Sequence, residues 1–570
     1  MIKNTMFNIN IRLEYGWRLY NHGKINLWFS GYLAGSTVPE KTILDSIDFL
    51  DDKVCSIGFL SKWVNTLDGH FAFILEVDNS WCFIATDKIC SIPVFNAYCD
   101  GKYTVSNHAP YLKSLLNIGN DDVCLDAALE ISMSGFVLGN KTLYKDIGRF
   151  SAGECVLLSH NKTHRSYYYT YTPWEDLSLD YSRLKNDLNN AILSAIKKTI
   201  DSVGGRQIVV PLSAGNDSRL IASCLKKLEY ENVICFSYGR RGNYEVNTSK
   251  QVCDILGYKW VYVQDILSKK RAFFMSDEYK EYLRVFESYA SVPNIQDIYE
   301  VHVLKQMSII DNDAVIVNGN SGDFISGGHV PENFNSTKKT LPIKLFNWRP
   351  FLKKHYSLWS CLHTRLNDDL ITIQLSKVAY ERCKVQKNNI FMEYSIMECM
   401  ECIGRQSRLV ANQQRSYEFV GHEWRLPLWG NDMLHFWERV PVQYKVKQRL
   451  YKDVLHDSNW GGVWTNIDVN KKLIRPYNIY FARIIVKIIA APFGKNFWHK
   501  VEKNLFIYWM HPSYARSVAP FFSVLFDIRG QRNTNSWTAD QFIKKNGFNN
   551  GVTDISDKIH SQSLKTNKKS

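Results

Sequence analysis

Apolar and polar positions follow two different rhythms along the chain. Over roughly the first 160 residues, short apolar runs at Asn26 to Tyr32, His70 to Glu76, Trp81 to Thr86, Tyr103 to Ser106 and Glu154 to Leu158 are punctuated by Gly, Asn and Asp. Runs bounded by turn formers in this way predict β-strands. A polar, Tyr-rich connection follows, Ser166 to Leu179. Apolar residues then recur at Leu184, Leu188, Ile192 and Ile196, the spacing of one helix face.

From Gln207 the rhythm changes again. Gln207 to Leu212 reads as a short buried strand, Ser213 to Asp217 as a loop and Ser218 to Leu228 as a helix. Val233 to Tyr238, Tyr244 to Leu256 and Lys259 to Val263 repeat strand, helix, strand. Alternation of this kind predicts a parallel sheet with crossover helices, and Ala314 to Val317 is expected to join it. Beyond Gly328 the chain reads as mostly helical, with a polar tail of twenty residues expected to fray.

Composition adds class and partners. The 570 residues are 45% hydrophobic and 22% charged, which excludes a disordered chain and is too long for one ordinary core. Lys and Arg number 70 against 56 Asp and Glu, a net charge of +14 that suits nucleotide, nucleic acid, anionic lipid or acidic sugar. Thirteen cysteines, from Cys55 to Cys402, form no secretory framework, and Met1 to Asn10 lack a signal-peptide pattern, so a reducing cytoplasm is expected. No run reaches the roughly 20 apolar residues of a spanning helix. Ile479 to Ala491, apolar except for Arg483 and Lys487, is expected to pack in a core with two snorkelling charges; peripheral contact with a membrane stays open.

The loop Pro211 to Leu220, PLSAGNDSRL, carries the sharpest chemical signal. It leaves the carboxyl end of a parallel strand, where open α/β sheets bind ligands. Small residues at Ser213, Ala214 and Gly215 let backbone amides approach a phosphate, the helix start presents free N–H groups, and Ser213 and Ser218 add hydroxyls. A carboxylate in such a cradle, Asp217, repels phosphate unless a divalent cation bridges them, so the loop reads as a magnesium–nucleotide site. Neither a Walker loop nor G-x-G-x-x-G is present. A second turn, Val315 to His329, holds one acid, Asp323, which is expected on the same rim if its strand lies beside the first. Lys452 sits in a helix-like run near the end of Glu423 to Leu455.

In this order the three segments resemble the asparagine synthetase superfamily. Its Ser-Gly-Gly-x-Asp-Ser is similar to Ser213, Ala214, Gly215, Asn216, Asp217, Ser218; its Gly-Glu-Gly-x-Asp-Glu to Gly319 through Phe324; its Arg-x-Pro-Phe-Leu-Asp to Arg425 through Gly430; and its Lys-x-x-Leu to Lys452 through Leu455. Asp68 to Val77 and Phe83 to Tyr98 resemble the hairpins of the family's class II glutaminase.

The resemblance implies an α/β and α+β chain in three parts. Residues 1–175 would form an Ntn-like antiparallel β-sandwich flanked by helices. Residues 180–460 would form a doubly wound parallel sheet of the PP-loop, adenine-nucleotide α-hydrolase-like type. Residues 461–570 would be a helical extension. It further implies ATP and Mg²⁺, held by Leu212, Ser213, Ala214, Gly215, Asn216, Asp217, Ser218, Ser237, Gly239, Gly319 and Asn320. Asp217 and Asp323 would be the metal ligands, with Lys452 acting on developing charge. The reaction implied is ATP-dependent amide formation through an adenylated carboxylate.

Departures from the family bear on the substrate. The sequence starts Met1-Ile2-Lys3 and its first cysteine is Cys55, so the family's N-terminal nucleophile is expected to be missing. Ser30-Gly31-Tyr32 stands where the family's Asn-Gly-Glu grips glutamine, so a remnant domain that shapes the substrate pocket is expected. Asn320 and Phe324 replace two family acids, which weighs against asparagine synthesis proper. The expected acceptor is a uronic acid of surface-polysaccharide synthesis, and the expected donor is ammonia or an amine. Asparagine synthesis on ammonia and an inactive scaffold are the rivals. Cys399 and Cys402 read as a helical spacing rather than a metal site, and the basic stretch Lys338 to His355 as a solvated helix face, so nucleic acid is not expected.

Overall fold

Alternation along one strand sets the layers of the N-terminal third. Strand β4 (Gly69–Val77) is buried almost throughout. Phe71, Phe73 and Leu75 point to one side, where they meet Ile43, Leu60 and Val64 of the helices Pro39–Asp45 and Ile57–Thr66. Ala72 and Ile74 point to the other, into a core shared with Phe7, Tyr103 and Val105 of a second sheet. Period two therefore divides a continuous apolar run between two cores.

The computed structural model behind this description covers all residues except 1–6, 48–55, 79, 160–161, 240, 242, 333–339, 384–389, 466, 468–476, 511–517 and 568–570. Cys55 and the start of the basic stretch at Lys338 lie outside the described residues.

Strands β1 (Phe7–Asn10), β6 (Phe95–Cys99), β7 (Lys102–Ser106) and β8 (Gly148–Arg149) form one sheet, ordered β1-β7-β6-β8. The other holds β2 (Arg18–His22), β3 (Ile25–Leu33), β4, β5 (Trp81–Thr86), β9 (Glu154–Ser159) and β10 (Lys162–Tyr167), in the order β10-β9-β5-β4-β3-β2 and antiparallel throughout. Phe95 and Ala97 turn away from the sandwich and pack with Ala109, Leu112 and Ala128 of the helices Ala109–Leu115 and Leu125–Ser134. The layers run helix, sheet, sheet, helix.

The helix Tyr181–Val203, capped by Asp180 on the N–H of Arg183, leads into a third, parallel sheet. Here β11 (Ile208–Pro211), β12 (Val233–Gly239), β13 (Lys259–Gln264) and β14 (Val315–Val317) are parallel. A small hairpin, β15 (Thr340–Pro342) with β16 (Ile390–Met392), stands apart, and β17 (Glu423–Arg425) adds a fifth parallel strand, giving β13-β12-β11-β14-β17. That last strand is absent from the sequence reading. Ile208 faces Val233 on one side and Val315 on the other, so the strand order reverses between β11 and β14.

Three buried arginines fasten the sandwich to the helical segments by donating to its oxygens. Arg382 reaches Ser151 Oγ at 2.8 Å and Ala152 O at 2.6 Å; Arg408 reaches Phe150 O at 3.1 Å and also Gly139 O; Arg415 reaches Ser91 O at 3.1 Å. Gly31 and Tyr32, at the glutamine-clamp position, serve the same joint. Gly31 has φ +105°, and a Cβ there would lie 2.1 Å from His70 O. The Tyr32 hydroxyl accepts the Leu426 N–H at 2.9 Å and bonds His70 Nδ1 at 2.8 Å, while the Arg425 guanidinium lies 4.3 Å over its ring.

Burial lowers His70 to about 4, so the folded state holds it neutral. Between that value and the unfolded pKa of about 6.5 the unfolded chain binds more protons, so stability falls as pH falls through this window and levels off below it. The full effect is about 3 kcal/mol. Thermal melts from neutral pH to about 4 are expected to show the decline, and His70→Asn to flatten it. A profile unchanged by the substitution would refute this origin.

Two expectations about the C-terminal part are corrected. The tail does not fray through its length: Val552–Asn567 is a helix whose Val552, Ile555 and Ile559 are buried against a core shared with Leu129 and Ile131. Three apolar residues at helical spacing suffice to dock it. The segment Ile479 to Ala491 is core-packed on one side only. Most of it lies in the helix Tyr477–Ala490, where Phe481, Ile485, Ile488 and Ile489 are exposed.

Candidate active site

The reversal of strand order places two turns side by side at the carboxyl ends of β11 and β14, the crevice where open parallel sheets hold ligands. Ser213 to Gly215 form the first. Leu212 is buried and its N–H continues the ladder to Phe236 O at 2.8 Å. The Ser213 N–H donates to Ser218 Oγ at 3.0 Å, the two hydroxyls are 3.0 Å apart, and the Gly215 N–H donates to Ser213 Oγ at 3.1 Å. Gly215 and Asn216 open the helix Asn216–Lys227, leaving its first amides toward the crevice. Fully buried Arg219 ties the turn down through Ala214 O at 3.0 Å and Val463 O at 3.3 Å.

The second turn closes on Asp217. A Cβ on Gly319 would lie 2.6 Å from the Asp217 carbonyl carbon, and one on Gly322 would lie 2.6 Å from its Cγ. Only glycine admits this approach. The Asp323 N–H donates to Asp217 Oδ2 at 2.8 Å and the Tyr451 hydroxyl donates to Oδ1 at 2.9 Å. Burial, then the charge of Asp323, raises Asp217 to about 7. Burial also opposes the Asp323 carboxylate, but the hydrogen bond and charge of His329, whose Nε2 lies 3.3 Å away, outweigh it and lower its pKa. Although burial favours the neutral imidazole, the bonds to Asp323 and Glu401 raise His329 to about 9.

Side-chain amides of the segment 402–414 brace this turn. Asn318 donates to Gln414 Oε1 at 3.1 Å, Asn320 to Gln413 Oε1 at 2.8 Å, and Ser321 to Gln406 Oε1 at 2.6 Å. Asn320, where the family has an acid, is thus a bonded part of the scaffold. A cavity of about 250 Å³ adjoins it, walled by Asn320, Arg405 and Gln413 on one side and by Asn535 and Thr538 of the C-terminal helix Thr534–Lys545 on the other. A second, mainly apolar cavity of about 130 Å³ shares Pro293, Asn294, Ile295 and Thr538 with it. No described residue of 7–175 lines either cavity, so neither carries the expectation that the N-terminal part shapes the substrate pocket.

The remaining sequence candidates are placed as follows. Ser237 is buried, and its hydroxyl receives bonds from Ser249 Oγ at 2.8 Å and Trp260 Nε1 at 3.1 Å. Gly239 has φ +137° and its carbonyl accepts from the Tyr262 hydroxyl at 2.7 Å. Lys452 is exposed and donates to Lys447 O at 2.9 Å. Lys447 and Gln448 both have positive φ, 58° and 59°, and Gln448 Nε2 donates to Ser326 Oγ at 2.7 Å, which holds that kinked turn beside the helical turn after Asp323. Tyr451 and His329 were not singled out in the sequence, though each lies within a quoted motif.

Asp217 and Asp323 are the two carboxyls of the crevice that could hold a cation, and no cluster of three or more His, Cys, Asp or Glu that could hold a metal occurs among the described residues. The set fits Mg²⁺ of the nucleotide-borne kind, which takes one or two carboxylates and draws its other ligands from phosphate and water. The crowding of Asp217 against Asp323 is what such a cation would relieve.

A doubly wound parallel sheet with a Ser/Gly loop and paired acids at its switch point is thus docked to a four-layer sandwich. Residues 190–458 match the family model described as asparagine synthase. The match to this segment supports membership of the asparagine synthetase superfamily. It is 26% identical over 199 residues to a probable glutamine-hydrolysing asparagine synthetase of Acanthamoeba polyphaga mimivirus, a match covering 34% of each protein. The chain thus spans about a third of the length of that curated relative. Among solved structures it is similar to an NH3-dependent NAD synthetase from Campylobacter jejuni, at 14% identity and TM-score 0.20, over 40% of this chain and 98% of that one. It is also similar to glutamine phosphoribosylpyrophosphate amidotransferase from B. subtilis, at 8% identity and TM-score 0.18, over 68% of this chain and 78% of that one.

Proposed function

We propose that the chain is an amide-forming ligase that adenylates a carboxylate, a uronic acid by the polar character of the adjoining cavity, for attack by ammonia or an amine. The observation that carries this reading is the Asp217–Asp323 pair at the switch point, with a polar cavity beginning at Asn320 on the same turn. A carboxylate resists amines because its charge must first be lost. Attack of a carboxylate oxygen on the α-phosphorus of ATP releases pyrophosphate; the amine then adds to the acyl carbon, and AMP departs with that oxygen.

The chain's own groups divide the work. Amides of Ser213 to Asn216 and the hydroxyls of Ser213 and Ser218 would receive the departing pyrophosphate. Asp217 and Asp323 would hold Mg²⁺, which supplies neutralisation of phosphate charge when bound. Lys452, exposed and next in sequence to Tyr451, would meet charge developing at the α-phosphate. Ser237 and Gly239 would border the adenosine through their backbone, since the Ser237 hydroxyl is already engaged. Arg405 is the cation of the cavity and suits the acceptor carboxylate, while the carboxamides of Asn320, Gln413 and Asn535 suit a polyhydroxylated ring. Tyr32 fills the clamp position with a hydrogen-bonded joint, which supports free ammonia or an amine rather than glutamine as donor.

Isotope-detected ATP–pyrophosphate exchange over a panel of aspartate, uronic acids and their nucleotide sugars tests the reading. Exchange with one uronic acid supports it. Exchange with aspartate alone assigns an ammonia-dependent asparagine synthetase, and binding of ATP with no exchange assigns a scaffold. Tyr451→Phe removes the hydrogen bond that orients the Asp217 carboxyl, so exchange is expected to fall about tenfold with the fold retained.

A further inference from the structure

The helix Tyr477–Ala490 presents its apolar side outward. Phe481, Ile485, Ile488 and Ile489 recur at i, i+4, i+7 and i+8, the spacing of one helical face. They are 61%, 58%, 68% and 65% exposed. Phe493, in the turn that follows, and Phe497, in the next helix, are 68% and 44% exposed. A buried core helix would turn this face inward.

The opposite side has a small core of its own. Ala490 packs with Trp498 and Phe506 of the helix Lys495–Met510, supported by Ile479 and Val486, apart from the larger cores. Arg483 pairs with Glu502 at 2.7 Å and lies 5.4 Å over the Trp498 ring. The two helices form a hairpin that is locked on its inner side and apolar on its outer one.

Charge selects the occupant. From Val469 to Pro520 the sequence carries nine Lys and Arg against one acid, Glu502, a net +8 of the chain's +14. The remaining 518 residues therefore carry only +6. The one acid is already paired with Arg483. Lys487, Lys495 and Lys500 are exposed next to the apolar face. A protein partner would have to match isoleucine and phenylalanine together with Lys487, Lys495 and Lys500. An anionic bilayer offers both, an acyl boundary for the apolar face and phosphates for the lysines. At 14 residues the helix is too short to span, and no helix among the described residues is long and apolar enough to cross a membrane. The hairpin fits the plane of the interface.

We propose that the hairpin Tyr477–Met510 docks the protein on an anionic lipid surface by setting Phe481, Ile485, Ile488 and Phe493 among the headgroups. Neither the switch-point crevice nor the two cavities use these residues, so the docking is separable from the chemistry.

Vesicle flotation of the full chain tests it, with phosphatidylcholine vesicles against vesicles of phosphatidylcholine and phosphatidylglycerol at about 0.15 M salt. The chain is expected to float with the anionic vesicles only. Ile485→Asp combined with Ile488→Asp is expected to weaken partition by about tenfold or more, and Lys487→Glu with Lys495→Glu to abolish the preference for anionic lipid. Circular dichroism and thermal melts of both variants should match the parent, because the altered side chains are exposed. Equal flotation with neutral vesicles, flotation unchanged by both variants, or no flotation at all would each overturn the proposal. Equilibrium sedimentation runs alongside: a dimer of the parent that Ile485→Asp with Ile488→Asp dissolves, without lipid binding, would assign the face to a second copy of the chain and overturn it equally.

Discussion

Asp217→Asn is expected to reduce ATP–pyrophosphate exchange by at least about a thousandfold while leaving the fold intact. The amide keeps the shape that Gly319 and Gly322 enclose, and its carbonyl still accepts the Asp323 N–H. What changes is charge and one acceptor. The NH2 group cannot accept from Tyr451, and a neutral side chain cannot help Asp323 hold a divalent cation. Melting within a degree or two of the parent, with exchange lost, separates chemistry from folding. Retention of even a tenth of the exchange would remove Asp217 from the account.

The second large effect is on stability. Arg408 is wholly buried and has no acidic side chain bonded to it; burial lowers its pKa, and the carbonyls of Phe150 and Gly139 receive its guanidinium. Arg408→Ala leaves those carbonyls unpaired, opens a void and removes a tie between the sandwich and the helical half. A loss of about 3–5 kcal/mol is expected. The first urea transition, followed by tryptophan fluorescence, reads it. Arg408→Lys should recover only part, because an ammonium lacks the planar fork that spans two carbonyls. A midpoint unchanged by the alanine variant would show that the joint is not what holds the two halves together.

How far the sequence reveals the molecule differs by element. The parallel sheet is legible because β11, β12 and β13 are apolar runs separated by helices with their own periodicity. The strand β17 is not, because three residues with Glu423 exposed leave no pattern. Asp217 and Asp323 stand out as acids in glycine-rich turns, whereas their neighbours do not. Tyr451 touches Asp217 across 234 residues, and His329 reaches Glu401 across 72, so nothing local distinguishes them. The clamp position shows the reverse. Sequence tells that Ser30-Gly31-Tyr32 departs from the family, and only the fold tells that Tyr32 now bonds Leu426 and His70. The helix Tyr477–Ala490 misleads for a physical reason: apolar residues default to burial, and only the surrounding charge argues otherwise.

The central claim is that a carboxylate is activated as an acyl adenylate. A substrate carboxylate labelled with ¹⁸O, incubated with ATP, Mg²⁺ and ammonium, tests it directly by mass spectrometry of the nucleotide and phosphate products. The account predicts one labelled oxygen in AMP and unlabelled pyrophosphate, because the attacking oxygen leaves with the α-phosphorus. Label in orthophosphate with ADP as the nucleotide product would mean an acyl phosphate instead, and would contradict it.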